Sequence, residues 1–303
     1  MASAQDFPTR PIKIVVGFGP GGLGDTVTRA VAQKMSDSMG GSVFVENTPG
    51  AGGMTAAAAV ARAPADGHTL LLVSGQNAIS PYLFKSLPYD PVRDFSMLST
   101  IATFPYLLVS DRDSPLKSVG EVMAAARRDP ARFNIGTISV GSVQHLTARL
   151  FLSMAKLEAT IVPFKTTGEV ITSLRGGDVQ VGMETTSGVL AQIRQGALRA
   201  IATTAPARLS YLPEVPTFSE AGVPGYVSES WNGLVAPART PREVVRRLNR
   251  EIALALEAPD LRRRFNELGL EPRASTAEQL KEVFLRDAAK WRVVIEQAGI
   301  EKQ

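Results

Sequence analysis

Short apolar runs alternate along the first two-thirds of the chain with stretches in which apolar residues recur every third or fourth position. The runs are "IKIVVGF", "VFVEN", "LLLVSG", "RFNIGTI", "TIVPF", "VQVGM" and "LRAIATT". β-Branched and leucine-rich runs of this length, separated by helical patterns, predict an α/β fold with largely parallel strands covered on both faces. From Asp25 to Met39 the apolar positions Val27, Val31, Met35 and Met39 repeat at i+4, and Gly40-Gly41 follows as a stop, which predicts a helix. The S/T-x-x-E pattern predicts four more helix starts, at Ser118, Thr166, Thr240 and Ser275. In "TPREVVRRLNREIALAL" it places Pro241 in the first helical position, ahead of a stripe of Val245, Leu248, Ile252 and Leu256. The last third is mostly helix.

At 303 residues the chain has length for one large or two ordinary domains, and we read it as two. Its 44% hydrophobic and 20% charged residues exclude a disordered or fibrous protein. The net charge of +4 is dispersed, and the basic runs "VVRRLNR" and "LRRRF" lie in helical patterns, so they are solvated helix faces and no nucleic-acid partner is expected. With no cysteine, disulfides, thiol catalysis and zinc-thiolate sites are absent. His68 and His145 are the only histidines, and neither has metal-ligand spacing, so no metal is expected. No segment reaches the length of a membrane helix, and "MASAQDFPTRP" lacks the layout of a signal peptide. The chain is therefore cytosolic or a mature secreted form whose leader has been removed.

The chemistry concentrates in two loops. "GFGPGG", between the first strand and its helix, satisfies G-x-G-x-x-G. Glycine allows close backbone approach, and a helix N-terminus offers free N–H groups to an anion. A Walker A loop is excluded because no Lys-Ser/Thr follows. A dinucleotide site stays open, because "VFVEN" ends near Glu46 at about the spacing of a ribose contact; so does a turn with no ligand. "NIGTISVGSVQHLTARLF" repeats the strand, small-residue turn and helix, so two helix N-termini are placed to converge on one ligand. Thr137, Ser139 and Ser142 would donate there, Ser142 being equally suited to cap its helix. His145 reads as neutral lining. A G-x-S-x-G elbow is ruled out by one residue too many. Thr166 and Thr167 begin another helix after a strand, and Glu184 closes the strand "VQVGM", placed to orient a ligand amine or hydroxyl or to accept a cap bond.

Taken together, "FPTRPIKIVVGFGPGGLGD", "VFVENTPGAGGMTAAAAVARAPADGHTLLL", "LPYDPVRDF", "GSVQHL", "LPEVPTFSEAGVPGY", "SWNGLVAPARTPREVVRRLN" and "KWRVVIEQAGI" resemble the Bug family of periplasmic solute-binding proteins, receptors of tripartite tricarboxylate transport systems. The resemblance covers almost the whole chain. It implies a two-domain Venus-flytrap protein of type II, each domain a mostly parallel sheet flanked by helices, binding a small carboxylate in the cleft between them. The ligand it implies is a di- or tricarboxylate, an acidic amino acid or an aromatic carboxylate. The stretches "SMLSTIATFPYLLVS" and "SESWNGLVAP" would be the crossovers, leaving 1–103 and 228–303 in domain I and 104–227 in domain II. The resemblance puts Phe18, Gly21, Gly22, Asp25, Ser74, Gln76 and Asn77 on the domain I side of the ligand. Thr137, Ser139, Ser142, His145, Thr166 and Glu184 face them. No catalytic role and no cofactor are implied, the ligand being held by neutral turn and helix donors. Implied partners are a membrane permease or a sensor protein, for a monomer in the periplasm. The family usually has proline where Gly17 stands, aspartate where Glu184 stands, and Tyr-Lys-Gly where Phe164, Lys165 and Thr166 stand. The glycines at 17 and 19, where the family often has proline or a small residue, create the apparent dinucleotide fingerprint, and an NAD-dependent oxidoreductase using the loop from Gly17 to Gly22 is the competing reading.

Overall fold

The computed structural model describes residues 7–302, so the expected trace of a removed leader at "MAS" lies outside the described residues. The chain opens with three strand-helix units: β1 (Ile12–Val16), α1 (Leu23–Met39), β2 (Val43–Asn47), α2 (Met54–Ala61), β3 (Thr69–Ser74) and α3 (Gly75–Leu83). β4 (Phe95–Asp111) leads into a second set: α4 (Val119–Arg128), β5 (Asn134–Ile138), α5 (Val143–Ala155), β6 (Thr160–Phe164), α6 (Thr167–Gly176), β7 (Val181–Thr185), α7 (Thr186–Arg194) and β8 (Leu198–Thr203). β9 (Glu229–Pro237) returns to the first set. α8 (Arg242–Glu257), α9 (Pro259–Glu267), the short β10 (Glu271–Pro272) and α10 (Ala277–Gln297) complete the chain. Each of the seven apolar runs forms a strand.

The strand order is β2-β1-β3-β9-β4-β7-β5-β6, with β8 and β10 also paired to β4. β1 is parallel to β2 and β3, and β5 is parallel to β6 and β7. β9 runs antiparallel to β3 and β4, as β4 does to β7 and β8. Residues 95–105 of β4 pair with β9, and residues 106–111 pair with β7 and β8. The backbone ladder is thus unbroken through β4, whose two ends serve two different sets of strands. Parallel pairing follows from the βαβ crossovers, whereas long strands that pass between the sets and return must run antiparallel.

Packing follows the sequence periodicities. Val27, Val31 and Met35 of α1 are fully buried with Leu248 and Ile252 of α8, and Met39 packs against the edge of that core. Gly40 ends α1 at φ 63, a conformation that glycine adopts without strain. The arginines of "LRRRF" are exposed on α9, as a solvated face requires. α10 joins two cores: Leu280 and Phe284 pack near β3 and β9, whereas Trp291, Val294 and Ile295 pack with α5 and the end of α3.

Ser118 and Thr166 cap α4 and α6 as expected, accepting from the N–H groups of Glu121 and Glu169. The other two starts each shift by one residue. Pro241 is extended (ψ 139), so α8 begins at Arg242, and the Thr240 hydroxyl donates back to the Pro237 carbonyl at 2.7 Å. At α10 the cap is Thr276, in a reciprocal box with Gln279, while Ser275 donates to the Thr276 carbonyl. Two adjacent capping frames compete at that site, and the Thr-Gln frame wins.

Candidate ligand-binding site

The parallel strands β1, β3, β5 and β7 all end at one cleft of about 580 Å³, between the two sets of strands. Ligands of open α/β sheets bind beyond the carboxyl ends of the strands, where connections diverge to opposite sides. Each strand there hands over to a helix N-terminus: Gly22 precedes α1, Ser74 precedes α3, Ser142 precedes α5 and Thr185 precedes α7. All four line the cleft. Ser74 caps its own helix by accepting from Gln76 N–H at 3.3 Å, whereas neither Gly22 nor Thr185 makes a side-chain cap. The cleft floor is built by cross-strand neighbours: Ser74 lies opposite Asn232, Phe104 opposite Ser230, and Tyr106 opposite Thr185.

Of the residues expected from the sequence, Phe18, Gly22, Ser74, Gln76, Ser139 and Ser142 line this cleft. Gln76 and Ser139 make no side-chain hydrogen bond among the described residues, so their polar groups are free for a ligand. Buried Asn232, missed at the sequence level, also lines the cleft, and its Oδ1 has no partner. Leu83, Phe84, Phe104, Tyr106, Ile138, Val140, Val143, Gln144 and Ser230 were missed as well. The "SWN" alternation carried the usable signal. Ser230 and Asn232 are two apart, hence on one face of β9, with Trp231 turned to the core.

The remaining expected residues do not line the cleft. Asp25 is buried and accepts from Arg29 Nε at 2.9 Å, Asn47 Nδ2 at 2.8 Å and Gly21 N–H at 2.9 Å. Burial works to raise its pKa, but the bonds from Arg29, Gly21 and Asn47 outweigh it and the pKa is lowered. A carboxylate committed to three donors ties the glycine loop to α1 and β2. Asn77 closes the α3 capping box, accepting from Ser74 N–H at 2.9 Å. Thr137 Oγ1 lies 3.3 Å from His145 Nδ1. Burial, aided by Arg149, lowers the His145 pKa to about 4, so the ring is neutral near pH 7. Thr166 is an exposed cap.

Glu184 is completely buried. Thr167 Oγ1 donates to its Oε2 at 2.8 Å, and Oε1 has no hydrogen-bond partner. Desolvation raises its pKa to about 7 against the opposing effect of Thr167, the Thr185 backbone and Gln144. Gln144 lines the cleft, so Glu184 supports the wall from behind.

The geometry disfavours a dinucleotide in "GFGPGG". The Gly21 N–H that would meet a pyrophosphate is already given to Asp25, whose carboxylate sits in the first turn of α1. Glu46, the ribose candidate, is held by Lys13 Nζ at 3.1 Å.

Ser142 also reads differently in three dimensions. Its hydroxyl donates to the Ile138 carbonyl at 2.7 Å and accepts from His145 N–H at 3.1 Å, so its proton is spent inside the loop. Ser142→Ala is expected to cost about 1 kcal/mol of stability through the lost cap. Ser139→Ala, which removes an unpaired hydroxyl, is expected to leave the urea midpoint unchanged. Parallel urea titrations check both, and equal midpoints for the two variants would refute the cap assignment.

Two α/β domains around such a cleft define a periplasmic-binding-protein fold. The chain belongs to the tripartite tricarboxylate transporter family receptors, whose family model matches residues 27–300. It is 33% identical over 299 residues to protein BugT of Bordetella pertussis, covering 98% of this chain and 92% of that protein. Among solved structures it is similar to R. palustris Rpa4515 with adipate, at 32% identity and TM-score 0.88, covering 98% of this chain and 100% of that one. MatC from Rhodopseudomonas palustris with bound malate matches at 32% identity and TM-score 0.82, over 95% and 100% of the two chains. The family consists of solute-binding receptors and not of enzymes. No helix among the described residues is long and apolar enough to cross a membrane.

Proposed function

We propose that this protein is a monomeric periplasmic receptor that closes its two domains around a small carboxylate and delivers it to a membrane permease, or presents it to a sensor protein. The observation that carries the reading is that the Gln76 amide, the Ser139 hydroxyl and the Asn232 amide come from different elements, line one cleft and donate to no other side chain or carbonyl among the described residues, so that Gln76 Nε2, Ser139 Oγ and Asn232 Nδ2 are available as donors. Pre-oriented neutral donors, assisted by bridging water, bind a carboxylate with little ordering cost. The malate and adipate bound by the relatives support the ligand class.

Residues 7–103 and 228–302 form domain I in this proposal, and residues 104–227 form domain II. The chain crosses at two adjacent points. Tyr106 N–H donates to Thr204 Oγ1 at 2.8 Å, Thr204 N–H to the Tyr106 carbonyl at 2.9 Å, and Ser228 N–H to the Thr204 carbonyl at 2.9 Å. Side-by-side crossings confine relative motion to a hinge, and a ligand that touches both walls favours the closed state. Native mass spectrometry of freshly purified protein is expected to show a co-purified organic acid. Small-angle scattering is expected to give a smaller radius of gyration once that acid is restored to stripped protein. An unchanged radius at saturation would refute closure.

A further inference from the structure

We propose that Glu184 is a positioning residue of this cleft, which takes up a proton as a carboxylate ligand binds and thereby frees the Gln144 amide and the N-terminus of α7 for that ligand; this rests on the reading of the cleft as a carboxylate site. The surroundings of the carboxyl call for a proton. Glu184 is completely buried, has one side-chain donor in Thr167, and leaves Oε1 without a partner. An ionised carboxylate so placed is costly unless further donors or a cation meet it. No cation does. β5 and β6 carry no titratable residue. Tyr106 of β4 is buried and neutral, and Asp111 stands at the far end of that strand. On α5, His145 is neutral near pH 7, with Arg149 one turn further along the helix. On α6, Glu169 is exposed and accepts from the N–H of exposed Lys165 at 2.9 Å. Arg175 and Arg194 are exposed in the last turns of α6 and α7.

Two groups that the cleft offers to an anion are also claimed by Glu184 when it is ionised. Its carboxylate draws on the backbone of Thr185, which caps α7, and on the Gln144 amide in the first turn of α5. Thr185 and Gln144 both line the cleft, where the N-termini of α5 and α7 favour an anionic ligand. While Glu184 is ionised, Gln144 gives its NH2 to that carboxylate and faces the ligand with its carbonyl oxygen. Once Glu184 is protonated, its O–H donates to Gln144 Oε1, the amide turns, and Nε2 donates to the ligand carboxylate. The same proton removes a like charge from the wall and returns the positive end of α7 to the ligand. Proton and ligand therefore strengthen each other's binding, and the coupling is reciprocal. Because the folded chain holds the Glu184 pKa at about 7, the coupling acts near neutral pH.

Calorimetric titrations with adipate, malate and benzoate at pH 7.5, in HEPES and in Tris, read the proton count from the difference in heat between buffers of unlike ionisation enthalpy. An acid that binds is expected to bring about half a proton or more with it. Its affinity is expected to fall about fivefold from pH 7 to pH 8, where all three acids are already ionised. Glu184→Gln, which keeps the shape of the protonated side chain, is expected to bind without proton uptake and with one affinity across that range. Thr167→Val removes the bond that favours the ionised form, so it is expected to move the loss of affinity to higher pH, and it supplies a second reading should the glutamine variant not fold. A parent that binds without proton uptake and with a flat affinity would overturn the inference and leave the carboxylate receptor standing. A pH dependence that persists in folded Glu184→Gln would overturn it equally, because the proton would then sit elsewhere. Absence of binding by all three acids would overturn both readings.

Discussion

Trp291→Ala is expected to lower the free energy of unfolding by about 3–5 kcal/mol, the range for removing a fully buried large aromatic from a packed core. The ring is 0% exposed, in the core that also holds Phe151, Phe218 and Tyr226. It further supports Lys290, whose Nζ lies 4.4 Å from the ring centroid and donates to the Val227 carbonyl at 2.9 Å, just before β9. Burial lowers the Lys290 pKa, with Asp287 opposing, so exposing that ammonium to water gives back part of the lost energy. The cavity outweighs this return, because the surrounding aromatics come from separate elements and cannot all close in. Trp291 sits at the far end of α10 from Leu280 and Phe284, which pack in another core. Loosening one end should therefore uncouple the two. The chain has two tryptophans, so the variant retains Trp231 alone, buried with its Nε1 donating to Asp287 at 2.7 Å. Urea unfolding followed by Trp231 fluorescence and by far-ultraviolet dichroism is expected to give separated midpoints. A loss below about 1 kcal/mol with coincident midpoints would show that α10 does not couple the cores.

The difference between what was legible in the sequence and what was not follows the range of the interactions. The strands were readable because each run carries its own β-branched and leucine-rich pattern, and α1 because Val27, Val31 and Met35 repeat within one helix. The cleft residues found from sequence, such as Gly22, Ser74 and Ser139, lie at the turn where a strand hands over to a helix, and a turn is local. Those missed from β4 and β9 enter the cleft only because Phe104 pairs with Ser230 and Ser74 with Asn232 across the sheet, and no local window contains both members of such a pair. The opposite error affected Asp25, Asn77 and Thr137. Their polarity announced hydrogen bonds truthfully, but the partners are the protein's own Arg29, Ser74 and His145. Polar residues beside a turn satisfy the turn before they serve a ligand. The crossover in β4 was expected from the resemblance and not from its own pattern, for a related reason. Its 17 residues are almost uniformly buried, so nothing in their pattern marks where pairing passes from β9 to β7.

Glu184→Gln is expected to change the pH dependence of stability by about 3 kcal/mol between pH 4.5 and pH 8. In the folded chain desolvation raises the Glu184 pKa from 4.5 to about 7, and each pH unit of separation is worth about 1.4 kcal/mol. Below pH 4.5 the carboxyl is protonated in both states and costs nothing. From pH 4.5 to about 7 the unfolded chain gives up this proton while the folded chain keeps it, so the unfolded state binds fewer protons and stability falls as pH rises. Above about 7 both states are ionised, and the penalty is constant. Glutamine has no proton to lose, so the variant should gain on the parent steadily through that window. Comparing the variant-minus-parent difference at pH 8 with that at pH 4.5 removes the fixed packing cost of the substitution. It also cancels the titration of Glu229 and Asp287, whose raised pKa values are shared by both proteins. Urea denaturation of the two chains across this range supplies the measurement. A difference that does not change with pH would mean that Glu184 ionises as freely in the folded chain as in the unfolded one. Its unpaired Oε1 would then have to be reached by water, and the carboxylate would belong to the wetted cleft and not to the dry wall behind it.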